Sequence, residues 1–101
     1  MRQYNKLVRD RILEIIEKDD VKPIWHKAGR SEYWKKLKEK LVEEVNEFLD
    51  SKKQEELADV LEVIDAISDL WGFKRARTRK IKNDKKRRRG GFKKRIILEK
   101  A

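Results

Sequence analysis

Two acidic clusters lie close together in the chain, Glu43-Glu44-Val45-Asn46-Glu47 and Glu56-Leu57-Ala58-Asp59. Glu44 and Glu47 are three residues apart, and so are Glu56 and Asp59, so on helices each pair occupies one face about a turn apart. The pairs Glu47/Glu56 and Glu44/Asp59 are both centred on position 51.5, so an antiparallel hairpin turning there would set them opposite one another in two rungs. Four carboxylates so close repel, and a partly buried one takes up a proton unless a cation intervenes. With no cysteine and a single histidine in the chain, the donor set is all oxygen. That set favours Mg²⁺ or Mn²⁺ over Zn²⁺. Mg²⁺ keeps several of its waters and binds carboxylates together with substrate phosphates, which makes one such water a candidate nucleophile. The plainer reading is a charged hairpin whose acids are solvated. With 19 Asp and Glu in 101 residues this spacing arises readily by chance, and spacing alone leaves both readings open.

The elements that must position these acids are helical. Leu7, Val8, Ile12, Ile15 and Ile16 predict a first helix over 6–18, closed by Asp19-Asp20 and Pro23. Ser31 is a candidate N-cap for a second helix with Trp34, Leu37, Leu41, Val45 and Phe48 as its apolar stripe. Asp50-Ser51-Lys52-Lys53 breaks that stripe. A third helix runs from about Gln54 to Trp71, carries Leu57, Val60, Leu61, Val63, Ile64, Ile67 and Leu70, and stops at Gly72. Two helices joined by so short a break pack antiparallel. On a wheel of about 100° per residue, Glu56 falls inside the apolar arc of the third helix and Glu44 near that of the second, whereas Glu62, Asp65 and Asp69 point away. Residues 74–89 are basic and compatible with a helix. Gly90-Gly91 reads as a turn, and the apolar end Ile96-Ile97-Leu98 is a candidate strand, 95–98, pairing with 24–26.

The expected fold is therefore mainly all-α, one domain over 1–101, with the hairpin completed by oligomerisation. Apolar residues are only 38% of the chain against 48% charged, too thin a supply for a large core. The apolar runs are short and interrupted by charge, which excludes a transmembrane span, and no signal-peptide core opens the chain. A soluble cytoplasmic protein is expected. Charge is unevenly placed: residues 74–101 carry a net +13 and residues 1–73 a net −3. A basic C-terminal segment on an acidic body implies an anionic partner.

The motifs together resemble a known group. Glu43-Glu44-x-x-Glu47 followed by Glu56-x-x-Asp59 is similar to the metal-binding signature of the all-α nucleotide pyrophosphohydrolases, the MazG and phosphoribosyl-ATP pyrophosphohydrolase superfamily. The opening Tyr4-Asn5-Lys6-Leu7-Val8-Arg9-Asp10-Arg11-Ile12 and the ending Arg89-Gly90-Gly91-Phe92-Lys93-Lys94-Arg95-Ile96 resemble its small "house-cleaning" branch. The resemblance implies hydrolysis of a nucleoside triphosphate, a non-canonical one above all, or of a related nucleotide, to the monophosphate and pyrophosphate. It implies Mg²⁺ at Glu44, Glu47, Glu56 and Asp59, and a homodimer or homotetramer of packed hairpins.

In this reading one carboxylate, Glu43 or Glu47, helps deprotonate the attacking water. Lys6 and Arg9, with Asn5 beside them, and Lys82, Lys85, Lys86 and Arg89 are the candidate phosphate contacts. For the lysines of so basic a stretch, plain solubility is the competing account. Trp25, Trp34 and Phe92 are candidates to stack on a base, although Trp34 at helical spacing suits a core. His26 reads as a loop residue, since no Ser or Cys nucleophile accompanies it. The alternative function is a basic helical module that binds nucleic acid without catalysis.

Overall fold

The computed structural model describes residues 2–101. Four helices follow in order: α1 (Ile12–Glu17), α2 (Arg30–Ser51), α3 (Gln54–Leu70) and α4 (Arg75–Arg89). The fold is all-α, and α2 and α3 pack on each other as a hairpin. No helix among the described residues is long and apolar enough to cross a membrane.

The hairpin turn is only Lys52-Lys53. Lys52 sits in the left-handed region at φ 57° and donates its N–H to Phe48 O at 2.7 Å, which closes α2. Lys53 is extended, and its N–H reaches Ser51 Oγ at 3.2 Å. At the other end Gly72 adopts φ +69°, and Phe73 N–H reaches back to Ser68 O at 2.8 Å. A residue with a side chain is disfavoured at such a φ, so glycine gives α3 a clean stop.

The structure departs from these expectations in three places. The first helix spans 12–17 rather than 6–18. Asn5 is left-handed at φ 46°, and its carbonyl accepts Lys36 Nζ at 2.7 Å, so the opening segment lies along the hairpin instead of coiling. Gly29, not Ser31, precedes the first residue of α2. The 24–26 and 95–98 segments form no strand among the described residues. Ile24, Trp25, Ile96, Ile97 and Leu98 are all exposed, and two short strands with no third partner and nothing packed on them are not stable. His26 is a loop residue as expected, its Nε2 2.9 Å from Glu32 Oε1.

The core is small. Leu37, Val60 and Val63 are the buried apolar residues among those described. The radius of gyration is 18.1 Å, against about 13 Å for a compact chain of this length. Taking Leu37 and Val60 as the inward directions at about 100° per residue, Val42, Val45 and Leu49 of α2 fall on the same flank of the hairpin as Leu57, Leu61 and Ile64 of α3. Of these, Val42, Leu49, Leu57, Leu61 and Ile64 remain 40–61% exposed. The acids fall on the opposite flank. One side of the hairpin is thus apolar and uncovered, and the other carries charge.

Candidate functional site

Phase along α2 decides which acids turn inward. Glu44 lies about 20° from Leu37 on the wheel and Glu47 about 80° away. Accordingly Glu44 is 8% exposed, at the centre of the packed face, while Glu47 is exposed. On α3, Glu56 and Asp59 precede Val60 and Val63 by four residues each and are half-buried. One carboxylate oxygen from each of Glu44, Glu56 and Asp59 lies within 4.8 Å of the others. The structure thus brings together three of the four acids read as metal ligands, and Glu47 falls outside the group.

Cations surround this triad. Lys40, one turn before Glu44, places Nζ 3.3 Å from Glu44 Oε1 and 3.7 Å from Glu43 Oε1. Lys6 donates to Glu43 Oε1 at 3.1 Å, and Arg9 Nη2 donates to Asp59 Oδ1 at 2.7 Å. The opening segment is therefore held on the acidic flank by Lys6, by Arg9 and by Lys36 on the Asn5 carbonyl. Lys36 and Lys40 were not among the residues picked from sequence. Lys40 carried a signal, since a Lys four residues before a Glu pairs with it on a helix. Lys36 carried none, because its partner is a distant backbone oxygen.

One atom stands out. Glu44 Oε2 is buried and has no hydrogen-bond partner among the described residues. A buried carboxylate oxygen without a donor costs about 1–3 kcal/mol or more. A proton, a bound water or a cation can satisfy it. The Glu47 carboxyl is raised above its ordinary value of 4.5, first by hydrogen bonding with Glu44, then by desolvation and by the charges of Glu44, Glu43 and Glu56.

A hard divalent cation would meet the same need. Its donors would be all oxygen, three carboxylate oxygens within 4.8 Å of one another, the donor type that Mg²⁺ and Mn²⁺ take. The carboxylates of Glu44, Glu56 and Asp59 would supply three ligands and leave the remaining positions to water and phosphate.

The Glu47 shift sets a sign for pH dependence. The folded chain holds this proton more tightly than the unfolded chain does. The stabilisation is therefore fully present below pH 4.5 and is lost as pH rises through the raised value. Metal-free wild-type protein should thus lose more melting temperature between pH 4 and pH 7 than Glu47→Gln does, and saturating Mg²⁺ should narrow the difference. Thermal melts across that range check it.

The remaining candidates stand apart within one chain. Among the described residues, no hydrogen bond or salt bridge joins Lys82, Lys85, Lys86 or Arg89 to the acids, and α4 makes no extended contact with α2 or α3. Its link to the hairpin is Arg75, which donates to Asp65 Oδ1 at 2.9 Å and lies 3.2 Å from Asp69 Oδ1. Trp34 packs edge-on against Trp71 with ring centroids 5.2 Å apart, beside a cleft of about 280 Å³ that Arg30, Ser31 and Leu70 also line. That cleft lies ten residues along α2 from Glu44, about 15 Å. Trp25 and Phe92 are exposed.

A scan against protein-family models matches no family, and searches of curated proteins and of solved structures return no match.

Proposed function

We propose that the protein is a Mg²⁺-dependent nucleotide pyrophosphohydrolase that cuts a nucleoside triphosphate, non-canonical ones included, to the monophosphate and pyrophosphate. The carrying observation is the convergence of Glu44, Glu56 and Asp59 around a buried carboxylate oxygen that has no hydrogen-bond partner among the described residues. A fold stabilised for its own sake would place an apolar side chain at that point. The resemblance of the acidic, opening and closing motifs supports the same reading. Nucleic-acid binding without catalysis leaves the inward acid unexplained.

Glu44, Glu56 and Asp59 would hold the ion, with Mn²⁺ able to replace Mg²⁺. When bound, the ion lowers the pKa of a coordinated water and offsets phosphate charge. The chain's own residues supply the rest. Glu47, one turn from Glu44 and with raised proton affinity, is the better placed of the two candidate bases to accept a proton from the attacking water. Glu43 organises cations instead, with Lys6 and Lys40 both on its Oε1. Lys6 and Arg9 already reach the acids, so they stand where phosphate charge would collect and can move from carboxylate to substrate. The water attacks a phosphorus, the anhydride oxygen leaves with pyrophosphate, and these cations stabilise the charge that builds on the leaving group.

Purified protein incubated with canonical and damaged nucleoside triphosphates should release pyrophosphate with Mg²⁺ and none with excess EDTA. Absence of release from every substrate, or release indifferent to EDTA, contradicts the proposal.

The uncovered apolar flank is the proposed oligomer contact. Two hairpins meeting through Leu57, Leu61 and Ile64 would make a four-helix bundle with the acids left outward. A homodimer or homotetramer is therefore expected by sedimentation at micromolar concentration. Leu61→Glu, which places a charge in that contact, should shift the protein to monomer and lower its melting temperature. A wild-type monomer would remove this part of the account.

A further inference from the structure

We infer that α4 is a docking stripe for the phosphate backbone of duplex DNA, a role separate from the acidic site. The helix carries ten Lys and Arg against one acid in 15 residues, and it buries none of them. Ile81 is its one large apolar residue and is 43% exposed. Nothing in this composition supports packing against the chain's own hairpin, and α4 makes no extended contact there.

The charges are ordered around the helix. At about 100° per residue, Arg79, Lys82, Lys85, Lys86 and Arg89 fall within an arc of about 120°. They extend over about 15 Å of axis at 1.5 Å per residue. The single acid, Asp84, lies on the other side. There it takes Lys80 Nζ at 3.1 Å and Arg87 Nη2 at 2.7 Å. Arg75 is taken up by Asp65 and Asp69 at the base of the helix. The five stripe cations have no acidic partner among the described residues. Like charges three and four apart destabilise a helix, so a stripe of this kind calls for an external counter-charge.

The chemistry of the helix selects the counter-charge. A membrane-lying helix needs an apolar face opposite its basic one, and α4 has none. Single-stranded nucleic acid is gripped by aromatic stacking, and α4 has no aromatic residue. A rod bearing evenly spaced cations matches a duplex, which presents one charge per about 1.7 Å of axis. An α-helix of 10–12 Å diameter enters the B-form major groove, about 12 Å wide, but not the narrow groove of A-form RNA. Contacts would be to phosphates, without sequence preference.

Fluorescence anisotropy with a labelled 24-base-pair DNA of random sequence, in metal-free buffer, tests this independently of any hydrolysis. The wild type should bind at 50 mM salt, with the logarithm of affinity falling against that of salt at a slope of about −4 to −5 for five phosphate contacts. Arg79→Gln/Lys82→Gln/Lys86→Gln/Arg89→Gln should bind at least tenfold more weakly, with a slope near −1. A matched variant of the other side, Arg77→Gln/Lys80→Gln/Arg87→Gln/Arg88→Gln, removes the same charge and should keep most of the affinity and slope. Circular dichroism confirms that both remain helical. No binding at 50 mM salt, equal loss in both variants, or tighter binding to duplex RNA, single-stranded DNA or phosphatidylserine vesicles would overturn the inference.

Discussion

Glu56→Ala should lower kcat/KM for pyrophosphate release on the order of a thousandfold, about 4 kcal/mol of transition-state stabilisation, while the hairpin stays folded. The size follows from the role. Removing one preorganised charged group from a polar reaction site commonly costs a hundred- to a thousandfold in rate. Glu56 is half-buried and makes no ion pair among the described residues, so it contributes little to holding α2 on α3. Asp59→Ala should behave similarly in activity and should also free Arg9, whose guanidinium lies 2.7 Å from Asp59. Steady-state kinetics with far-ultraviolet circular dichroism as the fold control measures both. Activity within a few-fold of wild type in either variant would remove the acids from the reaction.

Glu44→Leu should do two opposite things. The metal-free protein should gain roughly 1–3 kcal/mol of stability in urea unfolding, because an unsatisfied buried oxygen is replaced by apolar contact. Lys40 keeps a partner in Glu43, 3.7 Å away, so no charge is orphaned by the change. Pyrophosphate release should be lost in the same variant. Gain of stability with loss of function is the signature of a residue kept for chemistry at the expense of the fold. A variant that loses stability instead would mean that Glu44 serves the hairpin itself.

The hairpin was legible because its signal is periodic. Leu37, Val60 and Val63 sit where the apolar stripes put them, and the break at Lys52-Lys53 is short enough to force the chain back on itself. The inward lean of Glu44 and Glu56 was legible for the same reason. Symmetry about position 51.5 did not distinguish Glu47 from Glu44, because equal height on a hairpin is not equal phase. The turn centres a residue later, at Lys52-Lys53, and Glu47 lies some 60° further round α2 than Glu44. The shortness of α1 was not legible at all. It depends on Lys36, Lys6 and Arg9 making contacts 31 to 50 residues away in sequence, and local propensity carries no information about those. The expected strand pair failed because neither segment has a sheet to join.

Binding of Mn²⁺, followed by the loss of its free-ion electron paramagnetic resonance signal, tests the central claim without requiring turnover. The account predicts at least one ion bound per chain in the wild type, displaced by excess Mg²⁺, and the loss of this binding in Glu56→Ala/Asp59→Ala. A wild type that leaves the free-ion signal unchanged, or a double variant that binds as the wild type does, would contradict it.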